Sequence, residues 1–443
     1  MSSFARALHA PRSRELGLLL IVAAVVAVGF TAVLGARFDR ISTTSLWYAG
    51  AFLALLGIAH LALRIALPAA DPVLMPAAAF LCSLGIIEIY RITPTLARDQ
   101  AIWLAVGVGG FIGVLMLVPD VAVLERYRYL IGVGSLALLV VTIVSSYATG
   151  TVINGARLWI RVGGLQIQPA EFAKIGLVIF FAAYLREKRE VLSQRRTRFA
   201  GIGLPQLRDL IPLIAVLLGG LALLAAMNDF GTSLLFFSVF LTLLYLATGR
   251  ALYAGVGLAA FAAGAFAVYA VVPRVAERVD IWLNPWRDVS DAGYQSVQAI
   301  YTIADGGLFG TGLGRGYILT ANGGKVVPEV QTDYISAALF GELGFVGAVV
   351  LVLCYLLLTY RGLRVASLAG DWFSKLLAAG ITTTFAIQAI LILGGVVRAL
   401  PLTGITLPFV SYGGSSLVSN FVALALLCSI SDRERRRIGE TQA

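Results

Sequence analysis

Charged side chains are scarce in this sequence. Only 13% of its 443 residues are Asp, Glu, Lys or Arg, whereas a soluble domain carries about 25%. Hydrophobic residues make up 59% of the chain, and its mean hydropathy is +0.88. Because so little charge cannot cover a water-facing surface, the composition excludes an ordinary soluble protein and indicates a polytopic membrane protein.

Residues for metal and thiol chemistry are also few. There are three cysteines, each inside an apolar run, and two isolated histidines. Their spacing matches no disulfide framework or metal site, and the sequence contains no GxxxxGK[ST] loop or HExxH motif. We therefore predict no protein-held metal site. The net charge of +10 arises from basic residues between apolar segments, so we predict no nucleic-acid partner.

Twelve apolar stretches approach or reach the roughly 20 residues that a helix needs to cross a bilayer. We therefore predict an all-α, polytopic membrane protein with about twelve transmembrane helices. The first stretch exceeds the roughly 7–15 apolar residues of a signal-peptide core, so we expect the protein to retain it. The stretches are 17–36, 46–66, 74–90, 101–119, 129–148, 170–185, 210–227, 231–248, 251–272, 334–359, 373–397 and 408–430.

Basic loops orient these spans. If both termini are cytoplasmic, the segments ERYRY, YRGLR and DRERRR all lie inside, as the positive-inside rule requires. A large extracellular loop at 273–333 and a shorter one at 149–169 then lie outside. Long loops of this kind usually carry function. The Pro- and Gly-rich segment 398–416 predicts a broken or re-entrant approach to the last helix, facing a cavity.

A few charged residues stand next to apolar spans. Glu171 and Lys174 share one helical face, either as a polar floor beneath a substrate headgroup or as a neutral pair that locks packing. Asp229 is either a site residue or an N-cap. Arg157 and Arg161 flank a tryptophan, which suits either phosphate binding or interfacial anchoring.

The most polar part of the large loop is NPWRDVSDAGYQ, residues 284–295. Asp288 and Asp291 are both candidates for a general base, and Arg287 for a phosphate contact. Asp291 directly precedes the helix predicted near GYQSVQAIY, so it is expected to cap that helix. Asp288 lies further out and is harder to explain as a cap.

Five motifs stand along the chain in this order: NGARLWIRVGGLQIQPAEFAK, NDFGTSLL, NPWRDVSDAGYQSVQAI, PEVQTDYISAALFGELGFVG and LPLTGITLPFVSYGGSSL. Together they resemble the SEDS family (shape, elongation, division and sporulation proteins), and the stretch GGVVRALPLTG is closer to its RodA branch than to its FtsW branch. The family usually has ten spans, so the resemblance divides the chain into an N-terminal tail with two additional helices (1–66), the membrane core (67–431) and a basic cytoplasmic tail (432–443). DVSDAGYQ stands where the family often has DPxGxGYQ.

This resemblance implies a peptidoglycan glycosyltransferase of the bacterial cytoplasmic membrane, polymerising lipid II and releasing undecaprenyl diphosphate during elongation or division. The family's proposed catalytic acid stands six residues before the Tyr of the GYQ motif, which selects Asp288 as general base. A class B penicillin-binding protein and other elongasome or divisome membrane proteins are the implied partners, and the mechanism leaves room for a divalent cation, Mg²⁺ or Mn²⁺. The candidate substrate-binding residues are Arg157, Arg161, Glu171, Lys174, Arg287, Tyr294, Gln295, Glu329, Asp333, Ser411 and Ser415.

Two other functions fit a chain of this composition. A flippase for the same lipid would need charge along a crossing pathway, but the apolar spans hold few ionisable groups. A non-enzymatic scaffold for a penicillin-binding protein would leave the acids and arginines of the large loop unexplained. Polymerisation of lipid II by the purified protein separates the enzyme from both alternatives.

Overall fold

The computed structural model describes residues 3–38, 43–150, 152, 155–162, 165–193, 197–199, 202–204, 207–319 and 324–442. It is overwhelmingly helical, and a helix occupies each of the twelve predicted stretches. The helices are α1 (Ser3–Phe38), α2 (Thr43–Ala66), α3 (Leu74–Ile92), α4 (Pro94–Leu117), α5 (Ala122–Arg126), α6 (Arg128–Thr149), α7 (Pro169–Ser193), α8 (Leu207–Ala226), α9 (Phe230–Thr248), α10 (Ala251–Val271), α11 (Pro273–Leu283), α12 (Tyr294–Gly306), α13 (Ile335–Leu368), α14 (Trp372–Val396) and α15 (Gly414–Gln442).

Within the described residues, ten helices are long and apolar enough to cross a membrane. The other two predicted spans fall in α7 and α8. Helix α7 continues into the charged sequence REKRE, and the apolar part of α8, Leu210–Ala226, is short. The count of twelve spans and the cytoplasmic termini therefore stay predictions. The ten helices are α1, α2, α3, α4, α6, α9, α10, α13, α14 and α15.

The two loops singled out in the sequence contain regular structure. The 273–333 segment holds α11, a 3-10 turn at Pro285–Asp288, and α12. The 149–169 segment holds an antiparallel hairpin of β1 (Ile160–Val162) and β2 (Leu165–Ile167). A second hairpin, β3 (Thr197–Phe199) with β4 (Ile202–Leu204), follows α7. The all-helical prediction did not anticipate these short strands.

The chain folds into two compact units. The first comprises Met1–Leu117, Val272–Arg361 and Gln388–Ala443, and the second comprises Val118–Val271 and Gly362–Ile387. Helices α1 and α2 belong to the first unit. The predicted boundaries at 66 and 431 divide a membrane core from the segments on either side of it. They do not describe compact units, and they stay a prediction.

In the first unit, α3 is buried on nearly all sides. A glycine permits its closest approach to another segment: a Cβ on Gly85 would lie 2.3 Å from the carbonyl oxygen of Val410. The 408–412 segment therefore packs directly on the backbone of α3, which only a residue without a side chain allows.

Charged residues gather at one end of the first unit. The Asp71 carboxylate accepts from Arg361 at 3.2 Å and from Arg435 at 2.6 Å. Asp432 accepts from the backbone N–H of Ala69 at 2.7 Å. Because basic residues mark the cytoplasmic side of membrane proteins, this end is the expected cytoplasmic end of the unit.

The added helices are attached at this same end by buried polar contacts. Glu15 of α1 bonds to Arg12 and, at 2.7 Å, to His60 of α2. Arg12 also donates to the carbonyl oxygens of Pro68, at 3.3 Å, and Ala70, at 2.5 Å. These contacts join α1 to α2 and both helices to the segment that leads into α3.

At the opposite end, two backbone segments, 306–312 and 341–346, pack without intervening side chains; we call this contact the glycine seam. Gly344, with φ 67°, breaks α13, and a Cβ there would lie 2.2 Å from the Gly310 nitrogen. Four backbone hydrogen bonds cross the seam: Thr311 N to Gly341 O (3.1 Å), Gly312 N to Glu342 O (2.9 Å), Phe345 N to Gly307 O (2.9 Å) and Val346 N to Leu308 O (3.1 Å).

Candidate functional site

The predicted site residues divide between the two units. Arg157, Arg161, Glu171 and Lys174 lie in the second unit. The others lie in the first unit: Arg287, Asp288, Tyr294, Gln295, Glu329, Asp333, Ser411 and Ser415.

Asp288 ends the 3-10 turn and is exposed. Its carboxylate accepts from the backbone N–H of Asp291 at 3.2 Å, which closes the turn that follows. The prediction that Asp291 caps α12 is wrong, because Gly293 holds the N-cap position and no side chain caps the helix. The Asp288 carboxylate accepts a backbone bond in this turn instead, because it lies three residues before the Asp291 N–H group.

Gly293 holds Asp288 in place through the backbone. Its N–H donates to the Asp288 carbonyl oxygen at 2.8 Å. A Cβ on Gly293 would lie 2.0 Å from the Pro285 carbonyl oxygen and 2.7 Å from that of Asp288. The glycine of GYQ is thus required for the fold-back that presents this acid at the protein surface.

The start of α12 is tied to the segment that precedes α13. Gln295 donates through Nε2 to the Pro328 carbonyl oxygen at 2.5 Å, and the hydroxyls of Ser296 and Tyr334 lie 2.9 Å apart. Gln295 therefore has a structural bond in this conformation. Tyr294, predicted to bind substrate, is partly buried at the first position of the helix.

Asp333 is a second acid of this outer region. Burial raises its pKa to about 6, although the nearby Arg278 guanidinium opposes the rise, and Glu329 adds to it. Glu329 itself has a left-handed backbone, with φ 48°, and its carboxylate accepts from Gln331 at 2.9 Å. An acid with a pKa this close to neutrality can exchange protons under physiological conditions.

The 398–416 segment is irregular, as predicted. Ser411 donates to the carbonyl oxygen of Thr332 at 2.6 Å and accepts from the Leu407 N–H at 3.0 Å, so it ties this segment to the Asp333 region. Ser415 is buried in the first turn of α15. The predicted cavity beside this segment stays a prediction.

Backbone strain is concentrated here. Four described non-glycine residues have left-handed backbones, and three of them lie in this region: Glu329, Arg398 (φ 60°) and Phe409 (φ 67°); the fourth, Asn228 (φ 61°), lies in the second unit. Such conformations cost free energy and persist where the surrounding structure holds them, often at functional sites.

Sequence reasoning missed two arginines of this region. Arg398 donates to the carbonyl oxygens of Trp282 (2.7 Å) and Leu283 (3.1 Å), and its guanidinium lies 4.9 Å from the ring centre of Trp286. Arg278 donates to the Thr403 carbonyl oxygen at 3.3 Å. The amphipathic pattern of PRVAERVDIWL would have indicated that α11 packs one face against the protein.

In the second unit, Arg157 is half-buried, and its guanidinium lies 3.7 Å from the ring centre of Tyr147. Its backbone N–H donates to Met227 O at 3.2 Å. Arg161, in β1 opposite Gln166, is exposed. Packing of Arg157 on an aromatic ring supports the anchoring interpretation, whereas Arg161 presents its guanidinium to solvent.

The two polar pairings predicted in the second unit are confirmed. Lys174 donates to Glu171 at 2.6 Å, and both side chains are buried in the first turns of α7. The Asp229 carboxylate accepts from the Thr232 N–H at 3.0 Å, which is the expected N-cap bond of α9.

Over the described ranges, no three His, Cys, Asp or Glu side chains lie close enough together to hold a metal ion. Mg²⁺ often takes only one or two carboxylates and completes its shell with water and substrate phosphates. Because such an ion needs few protein ligands, the geometry of the described residues leaves the divalent cation a prediction.

A family model described as a cell cycle protein, and named for FtsW, RodA and SpoVE, matches residues 67–436. The chain belongs to this family. The match begins after α2, so α1 and α2 lie outside the family's common region. The resemblance seen in the five sequence motifs is thereby confirmed.

Members of the FtsW/RodA/SpoVE family with assigned names are similar over most of the chain. Peptidoglycan glycosyltransferase RodA of Mycobacterium tuberculosis is 42% identical over 437 residues, covering 96% of this chain and 91% of that protein. A probable peptidoglycan glycosyltransferase FtsW of Geobacter is 32% identical, covering 82% and 97%.

Solved structures of the family have the same fold. A chain from a study of how a peptidoglycan synthase complex coordinates polymerization and crosslinking aligns with a TM-score of 0.66 at 27% identity, covering 83% of this chain and 98% of that one. Thermus thermophilus RodA, described as a rod shape determining protein, aligns with a TM-score of 0.58 at 25% identity over the same shares.

Proposed function

We propose that this protein is a peptidoglycan glycosyltransferase that polymerises lipid II at the outer face of the cytoplasmic membrane. The observation that carries the proposal is Asp288, an exposed carboxylate presented by a turn that Gly293 makes possible. Relatives 40–42% identical over 96% of the chain are named peptidoglycan glycosyltransferase RodA, which supports the same reaction here.

In the proposed step, the 4-hydroxyl of an acceptor sugar attacks the anomeric carbon of the donor. The carboxylate of Asp288 takes the hydroxyl proton as the new carbon–oxygen bond forms. The bond between the anomeric carbon and the diphosphate oxygen breaks, and that oxygen keeps the electron pair as undecaprenyl diphosphate leaves. Because a hydroxyl is a poor nucleophile until it loses its proton, a carboxylate at this position accounts for the chemistry.

Guanidinium groups would stabilise the departing diphosphate, because they bind phosphate oxygens in bidentate fashion. Arg287 adjoins Asp288 and is exposed. In the second unit, Arg157 packs on Tyr147 whereas Arg161 is exposed, so of these two arginines Arg161 is the one available to an anionic ligand. A divalent cation bound with the diphosphate would add Lewis-acid stabilisation.

The remaining candidate substrate-binding residues differ in whether their side chains donate a hydrogen bond to a backbone carbonyl. Glu329, Asp333 and Tyr294 are proposed to contact the sugar hydroxyls. Gln295 and Ser411 bond to backbone carbonyls, so we propose that they position the site through the segments they join. For the buried Glu171–Lys174 pair of the second unit, both interpretations stay open: a polar floor beneath a headgroup, or a neutral pair that locks helix packing.

We also propose a class B penicillin-binding protein as partner, in the bacterial cytoplasmic membrane, with a role in cell elongation. The similarity to a chain of a synthase complex that coordinates polymerization and crosslinking supports the partner. The higher identity to relatives named RodA, compared with those named FtsW, supports elongation over division.

The test uses purified protein and lipid II, with a partner transpeptidase present or absent. Asp288→Asn is expected to lower glycan polymerisation at least a hundredfold, since the amide cannot accept the proton. Asp291→Asn is the matched control: it is an exposed acid of the same loop, and its loss is expected to change the rate less than threefold.

Two results would contradict the proposal. Near-normal polymerisation by Asp288→Asn would remove Asp288 from the general-base role. Translocation of the lipid II headgroup by wild-type protein that forms no glycan would favour the flippase alternative instead.

A further inference from the structure

A groove lies between the added helix α1 and a glycine-rich loop at residues 312–316, in the outer segment. Its volume is about 680 Å³, and it lies entirely within the first unit. One wall is a face of α1 and the other is the loop. The lining residues are Ala27, Val28, Thr31, Ala32, Gly35, Ala36, Gly312, Leu313 and Arg315.

The loop wall is fixed to the protein by buried charge. Glu342 of α13 accepts from the N–H groups of Gly314 (2.8 Å) and Gly316 (3.2 Å). Arg91 of α3 lies 2.7 Å from Glu342 and donates to the carbonyl oxygen of Gly316 at 2.6 Å. Both side chains are at most 6% exposed. The second wall is therefore a built feature of the fold.

Gly314 sets the distance between the two walls. Its φ is 83°, and a Cβ there would lie 2.9 Å from the Cβ of Ala36 and 3.2 Å from the Cα of Val33. The loop thus contacts the backbone of α1 beside the groove, while Leu313 and Arg315 on either side line it. The added helix and the family's common region form this groove together.

The groove lies along the end of α1 remote from Arg12. The Arg12 end carries the basic cluster and is the expected cytoplasmic end, so the groove faces the outer leaflet. From Ala27 to Ala36, α1 rises about 13 Å. Apart from the Thr31 hydroxyl, which bonds to the Ala27 carbonyl oxygen at 2.6 Å, the α1 wall offers apolar atoms.

Among the described residues that line the groove, Arg315 is the charged one, and its side chain is exposed. A guanidinium next to an apolar channel at the membrane surface matches a phosphate headgroup with a hydrocarbon chain below it. Small residues on α1 would also admit a second helix. An apolar helix would leave the guanidinium without an anion, so charge complementarity favours the lipid.

We propose that this groove binds an anionic phospholipid of the outer leaflet, with its phosphate on Arg315 and one acyl chain along α1. The site is separate from the Asp288 turn in sequence and does not depend on the proposed reaction. It gives the added helix a function: it supplies the hydrocarbon-binding wall of a lipid site.

The test measures retained lipid by native mass spectrometry on full-length protein in detergent. The protein is titrated with phosphatidylglycerol or with phosphatidylcholine of the same acyl chains. Wild type is expected to bind one phosphatidylglycerol at least tenfold more tightly than phosphatidylcholine. Arg315→Gln is expected to remove most of this preference, and Ala32→Leu, which fills the groove, is expected to lower binding of both lipids.

Arg98→Gln is the matched control, because Arg98 is an arginine with 72% of its side chain exposed in the predicted outer segment before the span of α4. It is expected to bind phosphatidylglycerol as wild type does. Equal binding by Arg315→Gln and wild type would overturn the proposal. So would a dimer, or a bound partner helix, that Ala32→Leu disrupts while lipid binding is unchanged. Thermal unfolding confirms that each variant is folded.

Discussion

Asp288 and Asp291 have the same side chain, three positions apart, but different surroundings. The Asp288 carboxylate accepts an N–H group at 3.2 Å within its own turn, and Gly293 fixes the backbone around it. The position of Asp291 before α12 predicted that its carboxylate caps the helix. In the structure, the Asp288 carboxylate accepts the backbone bond instead. The Ser290 hydroxyl, at 3.5 Å, and the Asp291 N–H reach the same carboxylate oxygen of Asp288, so the other oxygen is left for the proton transfer that we propose.

Asp333 predicts a pH-dependent stability. Its folded pKa of about 6 exceeds the usual 3.8, so the folded state favours the neutral acid. Stability is therefore lost as pH rises from about 4 through 6, by about 3 kcal/mol at most. Asp333→Asn is expected to raise the midpoint of thermal unfolding at pH 8, with a smaller gain at pH 5. An equal gain at both values would show that desolvation of the carboxylate is not the cause.

The Glu171–Lys174 pair predicts a strong dependence of each residue on the other. Lys174→Met removes the ammonium bonded at 2.6 Å to buried Glu171 and is expected to cost about 3 kcal/mol of unfolding free energy. The double variant Glu171→Gln with Lys174→Met is expected to recover most of that loss, because neither position then carries a buried charge. Thermal unfolding in detergent of both single variants and the double variant measures the coupling; additive losses would contradict it.

At the scale of elements, the sequence predicted more than it missed. Apolar length located all twelve helical stretches, because burial of backbone polar groups in a bilayer permits little else. Charge spacing predicted the Glu171–Lys174 pair and the Asp229 cap, since both are local along one helix. The hairpins, the 3-10 turn and the bonds of Arg398 to Trp282 depend on contacts distant in sequence, so no local pattern could indicate them.

The close packing of α3 against the 408–412 segment leads to a prediction about stability. Gly85→Ala would place a Cβ 2.3 Å from Val410 O, so the segment must shift, at a cost of about 1–3 kcal/mol. Gly109→Ala in α4 is the control, because no atom lies within 4 Å of its Cβ position and alanine favours the helix. A lower unfolding midpoint is expected for Gly85→Ala only; equal midpoints would mean that the segment adapts freely.

At the scale of the whole molecule, orientation in the membrane is the prediction that matters most for function. The positive-inside rule predicts that the Asp71, Arg361 and Arg435 cluster lies at the cytoplasmic end of the first unit. Asp288 would then lie outside, where we propose that lipid-linked sugars are polymerised. The three native cysteines are at most 9% exposed, so engineered cysteines can report the side without strong background.

Ser290→Cys, beside Asp288, is expected to react with a membrane-impermeant maleimide in right-side-out vesicles. Ser367→Cys, exposed in the predicted inner segment after YRGLR, is expected to react only after permeabilisation. The ratio of labelling before and after permeabilisation is the measurement. The opposite pattern would invert the orientation and place Asp288 in the cytoplasm.

The glycine seam has a consequence for amide hydrogen exchange. Its four backbone bonds join residues 307–312, which look like open loop in the sequence, to residues 341–346. Exchange requires these bonds to open, and separating either segment breaks several of them together. The amides of Thr311 and Gly312 should therefore exchange as slowly as those of a buried helix, while the neighbouring exposed turn at Val289 and Ser290 exchanges fast.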